Sequence, residues 1–137
     1  MSNISIIIVS IIAALATYYI SINMGKGPVF ASALVTLISG IIFPYFFPEG
    51  GGTLAVMGTC ASYAGMVANT KFPKIWEMVF VGLIAGLVFI VTTNAYVGVG
   101  GRLGTIGAIS GLSWLGIKKT YVLMTNSKSV SNVDISN

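Results

Sequence analysis

Five blocks of nearly unbroken apolar residues, at about 4–24, 29–47, 53–68, 75–93 and 103–117, alternate with short segments that hold almost all of the charge. Apolar positions within a block are continuous rather than alternating, which argues against half-buried strands and against the ten-residue alternating segments of a barrel. Each block approaches the roughly 20 residues a helix needs to cross a hydrocarbon layer about 30 Å thick. Helices are also the element that satisfies its own backbone polar groups in lipid. The pattern therefore predicts an all-α integral membrane protein with five transmembrane helices in a single domain, residues 1–124, and a polar cytoplasmic tail, 125–137. The tail, TNSKSVSNVDISN, has the polar composition of a disordered segment. Gly25 and Gly27 break the first helix, and Pro28 suits the first turn of the second.

Charge gives these spans a direction. If all five cross, Lys26, Lys71, Lys74, Lys118, Lys119 and Lys128 share one side, while Arg102 faces the other with Glu49 and the amino terminus. Lysine and arginine accumulate on the cytoplasmic side, so the amino terminus is expected outside and the carboxyl terminus in the cytosol. Aromatic residues outline two belts in the same frame, with Phe43, Tyr45, Phe46, Phe47 and Tyr96 at outer ends and Tyr18, Tyr19, Trp76, Trp114 and Tyr121 at inner ends. The first block lacks the basic start of a secretory signal and is read as a retained span, and no eukaryotic targeting or lipidation signal is evident, which fits a prokaryotic plasma membrane.

Shifted by 49 positions, the chain lays Gly51, Gly52, Leu54 and Gly58 over Gly100, Gly101, Leu103 and Gly107. A tandem repeat is expected: a helix, a Gly-Gly turn and a short helix, in units of about 28–68 and 77–117. Short helices at matched places in two halves point to a binding or permeation site. Glu49, Gly51 and Gly52 in one outer turn, with Asn94, Gly100, Gly101 and Arg102 in the other, are then candidates for the outer mouth of a solute pathway. Glycine lets backbone approach a ligand, and helix starts attract anions or polar solutes. The competing account is a pair of tight hairpins that need glycine only to turn. Glu49 and Arg102 could pair across the two turns, or each could reach separately into headgroups. Gly82 with Gly86, Gly107 with Gly111, and Ser32, Thr36 and Gly40 form small-residue stripes suited to close helix packing. Asn94 and Cys60 are read as a turn cap and a small packed side chain, with a polar path past Thr92, Thr93 and Asn94 as the functional alternative.

Composition narrows the chemistry. Hydrophobic residues are 55% and charged residues 7%, with mean hydropathy +0.95, too few charges to solvate a globule. The formal charge of +4 is scattered, without the stripe that tracks phosphates, so nucleic acid is not an expected partner. With no histidine and one cysteine, Cys60, neither a metal site, a cofactor nor an intrachain disulfide is expected. Glu49, Glu77 and Asp134 are the carboxylates, all near loops or the tail, which leaves little for general acid–base work, and an enzyme is not expected. The expected partners are the lipid bilayer and either further copies in a homo-oligomer or a larger membrane complex. On this basis the chain is either a component of an oligomeric transporter or channel for a small solute, or a non-catalytic accessory subunit.

Overall fold

The computed structural model describes residues 3–66, 72–95, 98 and 101–133, with side chains described as far as residue 126. Among them are five helices and no strand: α1 Asn3–Asn23, α2 Pro28–Phe46, α3 Gly51–Ala64, α4 Glu77–Val91 and α5 Arg102–Val133. By length and composition α1 and α2 are apolar enough to cross a membrane, and α4 is a shorter apolar helix.

The helix boundaries follow local chemistry. Gly27, at φ 88°, turns the chain out of α1, and Pro28 then opens α2 where its missing N–H is not needed. Pro44 lies in the last turn of α2, which still closes with Phe47 N–H donating to Phe43 O at 2.9 Å. Gly50, at φ 100°, and Gly101, at φ 87°, each make the left-handed step that a side chain would strain, immediately before α3 and α5.

Contacts between named residues give the direction of every helix. Ser62 meets Ser32 while Gly51 lies against Phe43, so α3 runs antiparallel to α2. Gly82 and Gly86 of α4 lie against Ile11 and Ile7 of α1, also antiparallel. Cys60 meets Leu103 and Gly107 meets Tyr63 and Ala64, so α5 runs parallel to α3. Thus α1, α3 and α5 point one way and α2 and α4 the other. The short α3 sits in the middle and touches the other four helices, whereas α2 touches neither α4 nor α5. Its Met57, Cys60 and Ala61 are fully buried, facing a core completed by Ala14, Phe72, Met78, Val81 and Ala85.

Small residues set the helix spacing. A Cβ on Gly82 would stand 2.8 Å from Ile11 Cα, and one on Gly86 3.3 Å from Ile7 Cα, so this pair brings α4 onto the α1 backbone. Ser10 donates to Gly82 O at 2.5 Å across the same contact. Ser32 and Thr36 pack on α3 through Ser62, but Gly40, the third member of that stripe, faces open space.

α5 does not stop near residue 117, as the lysine pair led us to expect. It continues through Lys118 and Lys119 to Val133, about 48 Å in all, taking in most of the expected tail. Residues 134–137 lie outside the described residues. Within α5 the Lys118 charge is met by Glu77 of α4. Beyond that point Tyr121, Val122, Leu123 and Met124 are all exposed.

Candidate functional site

The outer-mouth candidates separate into two places. Gly51 is buried in the first turn of α3 against the α2 backbone, where an added Cβ would collide with Phe43 O and come within 2.8 Å of Pro44 Cα. Its missing side chain is thus taken up by helix packing. Gly52, next to it, is exposed with nothing near its Cβ position, and Glu49 is exposed in the turn before them. Gly101 is exposed at the start of α5, Asn94 is exposed after α4, and Gly100 lies outside the described residues, as do Lys71 and Tyr96.

Arg102 does not pair with Glu49. Its Nη2 donates to Thr92 O at 2.6 Å, and its guanidinium stands 5.4 Å from the Phe89 ring centre. A cation on the last carbonyls of α4 is favoured by the helix dipole, and the Phe89 face adds a cation–π contact. Distance explains the outcome. Because Cys60 meets Leu103, α5 begins beside the second half of α3, about 13 Å along the axis from Gly51 and the Glu49 turn. Arg102 Nε is buried and has no acceptor among the described residues. Thr92 and Thr93 direct their hydroxyls back to Val88 O at 2.7 Å and Phe89 O at 3.0 Å, so they close the end of α4 rather than line a path.

The opposite end holds a charge pair that the sequence pattern did not bring out. Glu77, the first residue of α4, is 3% exposed, and both its oxygens accept from Lys118 Nζ, at 2.9 and 3.1 Å. A carboxylate suits the first turn of a helix, and the ammonium supplies the counter-charge its burial requires. Around this pair Phe80 and Trp114 stack with ring centres 4.5 Å apart, and Trp76 meets them edge-on at 5.5 and 6.2 Å. Tyr18 of α1 donates its hydroxyl to Phe72 O just before α4. Glu77 and Lys118 fall at the same end of the antiparallel helices α4 and α5. That shared side, together with their opposite charge, was the available signal.

Between α2 and α3, hydroxyls form a closed set. Ser62 donates its one proton to Thr59 O at 2.7 Å, so Ser32, at 2.8 Å, and Thr36, at 3.2 Å, are the donors to Ser62 Oγ. Cys60 is buried, with Sγ 3.4 Å from Leu103 O, consistent with a packed small side chain. No group of three His, Cys, Asp or Glu side chains that could hold a metal occurs among the described residues. An apolar groove of about 270 Å³ runs between α1 and α2, lined by residues including Ile12, Ala16, Val35, Ile38 and Phe43. No protein-family model matches the chain, and neither a curated protein nor a solved structure does.

Proposed function

We propose that the protein is a multi-pass membrane protein, its five helices crossing in alternating directions with the lysine-rich end in the cytosol, and that it serves as a non-catalytic subunit of a larger membrane assembly. One observation carries this: the outside of the bundle is as apolar as its core, and small polar side chains are buried between the helices. Ser10, Thr17, Ser32, Ser39, Ser62, Ser110 and Glu77 are buried, while Ile4, Ile12, Leu37, Ile41, Phe46, Leu87, Val91 and Leu112 are exposed. Water would penalise so much uncovered hydrocarbon, whereas lipid or a neighbouring helix accepts it. The exposed sides of α2 and of the long α5 are the faces offered to other subunits. For the two hairpins we infer a common origin by duplication, on the strength of the positive-φ glycine that precedes both α3 and α5. Extraction of the tagged protein with its native lipid, followed by mass measurement of the intact particle, tests the proposal. A particle containing a second polypeptide or several copies is expected. A lone chain surrounded only by lipid would overturn it.

A second reading, a solute path formed between subunits, is favoured by Arg102, a half-exposed cation held at the end of α4 by Thr92 O. Flux of an anionic solute into reconstituted vesicles should then fall in Arg102→Gln, and unchanged flux would remove Arg102 from any path.

A further inference from the structure

The α4–α5 corner at the lysine end carries more positive charge and exposed aromatic surface than its packing uses. Lys118 binds both oxygens of Glu77, yet its side chain is 40% exposed. Lys119, next to it in the chain, is exposed, as is Lys74 three residues before Glu77, and the Glu77 N–H donates to Lys74 O, fixing that loop against the helix start. Three lysines against one glutamate leave this corner with a net charge of +2 (3 − 1). Trp76 is 49% exposed and Phe80 41%, forming an aromatic rim one helical turn from the charge. Trp114 Nε1 is shut off from water without an acceptor among the described residues. Uncompensated lysines beside half-exposed tryptophans match a boundary where hydrocarbon gives way to negatively charged headgroups.

We infer that this corner binds an anionic phospholipid, with the phosphate held by Lys118, Lys74 and Lys119 and the glycerol and upper acyl region against Trp76 and Phe80. Charge complementarity selects the occupant, because a zwitterionic headgroup brings its own cation to a site that already has a surplus of them. The inference rests on the membrane placement proposed above.

Trp76 and Trp114 are the two tryptophans of the chain, so intrinsic emission reports on this corner. The intact protein is reconstituted into vesicles containing brominated phosphatidylglycerol or brominated phosphatidylcholine, and quenching is followed against bromolipid content. Half-quenching should need about fivefold less phosphatidylglycerol, the preference expected from one lysine's worth of surface attraction. The preference should shrink in the Lys74→Gln/Lys119→Gln double variant. It should shrink too in Glu77→Gln/Lys118→Met, which removes both partners of the buried pair together and so keeps the fold. Millimolar inorganic phosphate should leave it unchanged, and reversal by phosphate would overturn lipid as the source of the anion. Equal quenching by the two lipids overturns the site while leaving the membrane placement standing. Absence of quenching by either overturns both. A preference retained in both double variants overturns the assignment of these lysines.

Discussion

The α2–α3 and α4–α5 hairpins look interchangeable in sequence and are held together differently. In the first, residues 47–50 form a tight connection, Gly51 seats α3 on the α2 backbone, and the Ser32–Ser62–Thr36 hydroxyls cross the interface. In the second, the connection is longer, 92–101, the hydroxyls of Thr92, Thr93 and Ser110 turn back on their own helices, and the cross-links are Arg102 to Thr92 O, Glu77 to Lys118 and the aromatic stack. The shared glycine motif is put to different uses as well. Gly58 faces Ser39 of the preceding helix α2, whereas its counterpart Gly107 faces the Tyr63–Ala64 end of α3. Close backbone contact and hydroxyls thus join the first hairpin, and charge and ring contacts join the second.

The largest effect should come from the close contact that only the first hairpin has. Gly51→Val pushes a side chain into Phe43 O and the Pro44 backbone and should destabilise by about 3 kcal/mol, at the upper end for overpacking. Gly52→Ala, facing open space one residue later, should be neutral or slightly stabilising. Thermal unfolding in detergent compares them, and equal losses would dissolve the distinction between the two glycines. Next in size is the charge pair of the second hairpin. Lys118→Met strands a buried carboxylate and should cost about 2 kcal/mol, below the full value for a buried pair because Lys118 is itself part-exposed. Adding Glu77→Gln should recover most of it, and a double variant as unstable as the single would show that the pair does not join the helices. Ser62→Ala removes the acceptor of two hydroxyls and should cost about 1–2 kcal/mol, while Ser110→Ala, which serves only its own helix, should cost less. Reversal of that order would move the polar cross-link to the second hairpin. A cost of about 1 kcal/mol in the same unfolding measurement is expected from Gly101→Ala, which meets no neighbour among the described residues and carries only the strain of φ 87°.

The helices were legible because continuous apolar runs leave few alternatives. The use of Gly82 and Gly86 for close packing was legible from their spacing alone. Two features were not. The Gly51–Gly52 pair invited one account for both residues, yet the helical rotation between neighbours turns one onto α2 and the other into open space, a difference of phase that the local motif does not carry. Lys118 read as a stop because its charge was considered by itself. Glu77, 41 positions away, answers it, and α5 continues. The possible Glu49–Arg102 pair is not formed, for a related reason. Placing both residues on one side did not set their heights, and the offset of α5 along α3 puts Arg102 within reach of Thr92 instead.

Because α3 alone touches each of the other four helices, neither hairpin can come away without exposing a side of the same short rod. The molecule behaves as an arch closed by its keystone. Loosening either flank should propagate to the other, so unfolding is expected as a single cooperative step, and pairs of substitutions on opposite flanks of α3 should combine non-additively even though they never meet.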